Sequence, residues 1–413
     1  MKKFLAGDAY LSIRKIILGW LIDTVRQTLE LPPHRLERLQ HIFDTLRHKD
    51  RVSIKMWHKF LGELRSMALG IPGSRGLFSL LQEGLRHTDR YRIRITPEMR
   101  DQLSDFEHLA HSLGERPTEL AEIVPDHPVA LGPHDASGLG MGGAWLPATT
   151  NSNITPLVWR APFPQWVRDD LVSFQNPHGT ITNSDLELAG LIVHHDILAQ
   201  TVNVAGRTLA PLGDNTPTTA WSHKKSTTTT GPPAYLLRLN SIHQRHYRYN
   251  SYASYIPGPA NGMADDPSRL WHLSDSQLLT HFDSTYPQEL PWQLVTPRPM
   301  MISSVLSALC KQRADLPSLL STPPTKMACG TNGKPSFPLL KESTPTSTPS
   351  SRSSTYLFSK FSPTKSDIGE PTTAANLSQL NEYRTIYAPS PRRSVWGPSG
   401  ALIPGMARTS NNT

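Results

Sequence analysis

The sequence predicts an α/β fold: a mixed sheet with flanking helices, preceded by a small helical subdomain and followed by a largely disordered tail. Three observations predict it. Apolar residues recur at three- and four-residue steps from 31 to about 115. From about 128, strand-like runs come first and then alternate with helical stretches. After Trp271 the chain turns rich in Ser, Thr and Pro and loses its period.

In the first segment, Leu36, Leu39, Phe43 and Leu46 form a helical stripe behind Pro32-Pro33, which suit a first helical turn. A second stripe runs Ile54, Trp57, Leu61, Leu64 and Ala68, with Ser53 placed to cap it and Gly70 to stop it. A third helix is expected over 74–86, on Leu77, Leu81 and Leu85. A fourth begins at Thr96-Pro97 and carries Met99, Leu103, Phe106, Leu109 and Leu113. Stripes of this kind are core.

In the second segment, 128–135, 141–146 and 154–161 read as strands. Residues 183–200 form a helix apolar on most sides, hence a buried one. A strand over 204–212, helices over 216–226 and 232–247, and a last strand over 252–256 complete the layer. In the tail, segments such as KESTPTSTPSSRSST cannot bury enough surface to offset chain entropy. Short helices are expected there only at 274–279 and 301–309. The expected division is 1–120, 127–272 and 273–413.

Composition narrows the function. A chain of 413 residues makes two or three domains. Its 37 prolines are close to twice the usual ~5%, which fits a compact portion joined to an irregular one. Cys310 and Cys329 are the only cysteines, so a disulfide scaffold or a four-cysteine zinc module is excluded and a reducing compartment is expected. The net charge of +8 favours a polyanionic partner. Asp8, Arg14 and Lys15 interrupt the apolar N-terminus, and no run approaches the ~20 apolar residues that span a bilayer. A soluble protein of the cytoplasm or nucleus is expected.

Four carboxylates stand where local structure would hold them. Asp135 ends the first strand, Glu187 lies in the first part of the buried helix, Asp214 ends the fourth strand and Asp265 follows the last. Converging carboxylates repel, so such a site is tolerable only with cations in it. Oxygen ligands of this kind suit Mg²⁺ or Mn²⁺. Each residue also has a purely structural reading. Asp135 is a possible turn residue before Gly138, and Glu187 fits a capping box with Ser184. Asp214 is placed to cap the helix near Pro217. Asp266, before Pro267, is the better N-cap of its pair, which leaves Asp265 for the metal.

These strings carry a resemblance. DASGLGMGG, DLELAGL, GDNTPTTAW and, most specifically, IPGPANGMADDPSR resemble the ribonuclease H domain of retroelement reverse transcriptases. The last string is similar to the PG-x-N-x-x-AD-x-x-SR closing motif of retrotransposons. Upstream, KIILGWLIDTVRQTLELPPHRLERL resembles the end of a reverse transcriptase palm leading into its thumb and connection. The likeness covers roughly residues 10–290 and implies a ribonuclease H-like fold. It further implies two-metal hydrolysis of the RNA strand of an RNA·DNA hybrid during reverse transcription, with two Mg²⁺ ions or Mn²⁺ in their place. In the family's pattern Asp135 bridges both ions, Glu187 and Asp214 hold one, and Asp265 holds the other. Hybrid shape and 2′-hydroxyls would be read rather than sequence. The implied partners are the hybrid and the remainder of a retroelement polyprotein.

The chain also departs from that family. The Tyr-x-Asp-Asp polymerase signature is absent, and no histidine precedes Asp265 where several relatives keep one; His223, His243 and His246 lie nearest. A 3′–5′ exonuclease of the same fold would want a carboxylate where Ser137 stands. A decayed copy acting only as a nucleic-acid-binding or structural module is the alternative. Arg238, Arg245 and Arg248, interleaved with Tyr247 and Tyr249, are the candidate phosphate-tracking residues, against a solvated helix face as the plain reading.

Overall fold

The computed structural model describes residues 12–86, 88–89, 91–148 and 154–313; the expected disorder beyond 313 lies outside the described residues. Residues 12–126 form the first unit. Its strands are β1 (Arg14–Ile17), β2 (Trp20–Asp23), β3 (Thr28–Glu30), β4 (Arg51–Ser53), β5 (Thr88–Asp89), β6 (Arg92–Arg94) and β7 (Thr118–Glu119). Its helices are α1 (Pro33–Arg47), α2 (Ile54–Met67), α3 (Phe78–Glu83) and α4 (Pro97–Glu115).

The helices start where side chains can satisfy their open N–H groups. Ser53 Oγ accepts from the Met56 amide and Thr96 Oγ1 from the Met99 amide, with Pro97 next. Trp57, Leu61, Leu64 and Phe106 are fully enclosed. The third predicted helix is shorter than expected, a 3₁₀ turn over Ser74–Leu77 running into α3. Two small sheets, β1–β2–β3–β7 and β4–β6–β5, were not expected. Runs of two to four residues are too short to display a period.

The second unit holds β8 (Pro128–Ala136), β9 (Gly140–Pro147), β10 (Leu157–Pro162), α5 (Gln165–Asp169), α6 (Asn183–Thr201), β11 (Thr208–Gly213), α7 (Thr216–Lys224) and α8 (Pro232–Tyr247). It continues with β12 (Asn250–Ser251), β13 (Ser254–Tyr255), α9 (Gly262–Arg269), α10 (Asp275–Thr285), β14 (Gln293–Leu294) and α11 (Pro299–Leu309). The sheet order is β12–β11–β8–β9–β10–β14, with β13 also on β11. β8, β9 and β10 form an antiparallel meander, and β11 runs parallel to β8. A mixed sheet of this order, with helices between β10 and β11 and on both faces, is the α/β layer the sequence predicts.

Both sheet faces are covered, which period-two strands achieve by alternation. Met141, Trp145, Leu157 and Trp159 face α6, α8 and α11. Ala144, Leu146 and Val158 face the α9–α10 side, with Met263, Leu278 and Phe282. Helix α6 is buried nearly all round, as its composition predicts. Its His194 stacks on Trp145 at 4.0 Å and accepts from Trp159 Nε1 at 2.9 Å, so it is a core residue.

The sequence closes this unit at 272, but the structure carries it further. Tyr286 and Trp292 join the second core, β14 pairs with β10, and Met301, Val305 and Leu309 of α11 pack on the first core. The short helices expected at 274–279 and 301–309 are α10 and α11; what the sequence did not indicate is that they pack on the sheet, nor the two-residue β14 between them. No helix among the described residues is long and apolar enough to cross a membrane.

Candidate metal-binding active site

Four elements deliver the carboxylates. β8 and β11 are parallel neighbours, so Asp135, next to the end of β8, and Asp214, just after β11, emerge at the same sheet edge. Glu187 comes from the first turns of α6, which packs across β8. The cap of α6 is built by Thr182 and Asp185, each binding the other's backbone. The capping box expected from Ser184 and Glu187 is therefore two residues upstream, and Glu187 is left without a cap to fill. Asp214 is likewise no cap: Asn215 Oδ1 accepts from the Thr218 amide at 3.0 Å.

One oxygen each of Asp135, Glu187 and Asp214 lies within 4.8 Å of the other two. Asp135 and Glu187 are each 2% exposed, and Glu187 Oε2 has no hydrogen-bond partner. Burial pushes the Glu187 carboxyl well above its usual range, and the charges of Asp135 and Asp214 push it further. Asp214 is raised by burial and then by Asp135. Such a cluster holds protons or binds a cation.

Asp265 reaches Asp135 from α9, outside the close triplet. Burial and the charge of Asp135 raise it to about 7, against an opposing pull from Arg269. Its neighbour Asp266 points elsewhere, accepting from the Tyr286 hydroxyl at 2.8 Å and lying 2.7 Å from His281 Nε2. Asp266 sits inside α9, so it braces α10 and caps nothing.

Helix α9 is pressed onto the sheet by a close approach. A Cβ at Gly142 would come within 2.8 Å of Pro267, so only glycine fits on β9 beneath it. Three further residues of the closing motif, to which the sequence assigns no role, fix the site. Ser268 Oγ donates to Asp135 Oδ2 at 2.6 Å. Buried Asn261 donates to the His134 carbonyl at 3.3 Å. Arg269 Nη2 lies 2.9 Å from Asp265 Oδ1 and 3.5 Å from Asp135 Oδ2. All three belong to the NGMADDPSR string, whose spacing to Asp265 was the available signal.

His134 was also unexpected. It is buried beside Glu187, with Nδ1 3.9 Å from Oε2, and its ring lies against Gly213. Burial lowers its pKa to about 4 despite the nearby Asp135 charge, so it is neutral at physiological pH.

The predicted phosphate-tracking arginines are elsewhere and engaged. Arg238 is 2% exposed and paired with Asp105 of α4. Arg245, also 2% exposed, reaches Glu122 at 3.3 Å, Thr118 Oγ1 at 3.1 Å and the Arg116 carbonyl at 2.6 Å. Arg248 holds Glu119 at 2.6 Å and Glu122 at 3.0 Å. α8 turns this face to the first unit, so the three arginines are engaged in ion pairs across a seam, with Arg248 alone partly exposed. Of the histidines near the closing motif, His243 is buried on Asp196 and His223 is exposed beside Tyr252.

No family model matches the chain, nor does any curated protein. Solved structures do. The chain is similar to ribonuclease H1 from the halophilic archaeon Halobacterium salinarum NRC-1, at 13% identity over 33% of this chain and 92% of that one, with a TM-score of 0.24. It is also similar to the foamy viral protease-reverse transcriptase in complex with RNA/DNA hybrid, at 12% identity and a TM-score of 0.26. That match covers 79% of this chain and 32% of the viral one. The same viral protein in complex with dsDNA matches at 13% identity, over 70% and 46%, with a TM-score of 0.25. The chain thus spans less than half the length of the viral proteins it matches.

The four carboxylates fit hard divalent ions: all donors are oxygen, and two buried oxygens, Glu187 Oε2 and Asp265 Oδ1, have no hydrogen-bond partner.

Proposed function

We propose that the chain is a metal-dependent ribonuclease of the ribonuclease H type, hydrolysing the RNA strand of RNA·DNA hybrids. The observation that carries this is the convergence of Asp135, Glu187 and Asp214 at one sheet edge, with Asp265 beside them and Glu187 Oε2 unpartnered. Asp135, Glu187 and Asp214 would hold one Mg²⁺ or Mn²⁺, and Asp135 with Asp265 a second. Bound there, the ions would activate water and stabilise the leaving 3′-oxygen.

The chain's own residues set the stage for that chemistry. Ser268 fixes the rotamer of Asp135, and the α6 cap fixes the turn that carries Glu187. Neutral His134 walls the site on its sheet side and keeps solvent from Glu187. On the closing-motif string alone, we place the protein in the reverse transcription of a mobile element. Residues 12–120 would then be the thumb and connection region.

The test is cleavage of a hybrid labelled on each strand in turn. The RNA strand should be cut in Mg²⁺ and the DNA strand spared, and Asp135→Asn should reduce cutting by ~10³-fold or more, as loss of a catalytic group does. Hybrid binding without any cleavage by the unaltered chain would favour the decayed module.

A further inference from the structure

We propose that Arg269 is a resident counter-cation of the carboxylate site, occupying the place between Asp135 and Asp265 and yielding it to a divalent ion. This rests on the metal-site reading above and deepens it.

The charge is distributed unevenly over the four carboxylates. Asp135, Glu187 and Asp214 are mutually close, and no described basic side chain is ion-paired with Glu187 or Asp214 apart from His134, which is neutral. The Asp135–Asp265 side differs. There the Arg269 guanidinium touches Asp265 at 2.9 Å and reaches Asp135 at 3.5 Å. An ion shared by Asp135 and Asp265 would have to stand where that guanidinium stands.

Arg269 is built to leave. Its side chain is 54% exposed, and it sits at the last residue of α9, four after Asp265. Exposed pairs of this geometry hold weakly. No other described residue holds the guanidinium, in contrast to Arg245, which two carbonyls and a carboxylate enclose. A guanidinium always carries charge, so it neutralises the pair at any working pH. Released, it stands at the mouth of the site, where a phosphodiester oxygen would be its natural acceptor.

The triplet position should therefore load first and the Arg269 position second. The experiment is an Mn²⁺ titration of the full chain, with free Mn²⁺ read by electron paramagnetic resonance, alongside melting temperatures without metal. The unaltered chain should bind one ion tightly and a second more weakly. Arg269→Gln should tighten the second about five-fold or more, the lower end of usual coupling between sites. The same variant should melt lower without metal, since it leaves Asp135 and Asp265 uncompensated. Opposite signs in the two readouts are the signature. Arg269→Lys keeps the charge and should titrate like the unaltered chain.

Second-ion affinity unchanged or weakened in Arg269→Gln would overturn the proposal while leaving the metal site standing. Equal tightening in Arg269→Lys would overturn it too, because charge would not be the cause. If the unaltered chain binds no Mn²⁺, the metal-site reading fails and this inference goes with it.

Discussion

Two of the places where the chain buries charge are treated in opposite ways. At the seam between the two units, Asp105, Glu119 and Glu122 meet Arg238, Arg245 and Arg248, so each charge has an opposite partner from across the contact. At the sheet edge, Asp135, Glu187 and Asp214 meet each other. Desolvation penalises both arrangements. Only the first is compensated throughout: at the sheet edge Arg269 reaches Asp135, while Glu187 and Asp214 have no charged partner among the described residues. A buried cluster left uncompensated by its own chain points to a ligand that supplies the missing charge.

The largest expected effect lies at the seam. Arg245→Met takes from fully buried Glu122 one of its two guanidinium partners, leaving Arg248, and also removes the bonds to Thr118 and to the Ser112 and Arg116 carbonyls; removing one partner of a buried pair typically costs ~3–5 kcal/mol. Urea unfolding should report that loss. If the seam tolerates the change with under ~1 kcal/mol, its arginines are not compensating buried charge and the contrast with the sheet edge collapses.

At the sheet edge the sign reverses. Glu187→Gln removes a destabilised charge, so the metal-free protein should become more stable at neutral pH, by ~1–3 kcal/mol on the scale of an unpaired buried group. The folded Glu187 pKa is raised, so its stability contribution is complete below the unfolded value of ~4.3 and is lost as pH rises through the folded value. The advantage of the variant should therefore shrink toward pH 4–5. Unfolding curves of both proteins across that range measure it, and comparing them cancels the buried histidines, which titrate in both. An advantage that is constant with pH would show that Glu187 carries no titrating burden.

The smallest effect concerns the cap. Thr182→Ala removes the acceptor for the Asp185 amide and should cost ~1 kcal/mol, within the ~0.5–2 usual for a lost cap. Ser184→Ala should cost less, because the cap is not at Ser184. Melting temperatures of the two variants rank them directly. The opposite ranking would return Glu187 to a capping role.

What was legible in the sequence follows the same contrast. Elements long enough to show a period were read well: α8 is found over 232–247 as expected, and β8 and α6 within one residue of their expected ends. β12, β13 and β14, of two residues each, carry no period, and β14 is a strand only because β10 is beside it. The placement of Asp135 and Asp214 was readable because each stands at the end of a strand, whereas Asp265 lies inside α9 and was reached only through the closing-motif string. The arginines were not readable, because their partners lie more than a hundred residues away in sequence and only the docked units bring them together. A basic helix face looks the same in sequence whether phosphate or carboxylate awaits it.

The central claim, that the sheet-edge carboxylates need a cation, is tested most directly by the melting temperature of the unaltered chain and of Asp135→Asn, each with and without Mg²⁺. Asn keeps the volume and can still accept from Ser268 while removing one charge. The account predicts that without metal Asp135→Asn melts no lower than the unaltered chain, and that Mg²⁺ raises the melting temperature of the unaltered chain alone. A metal-free Asp135→Asn that melts lower, with Mg²⁺ shifting neither protein, would contradict it.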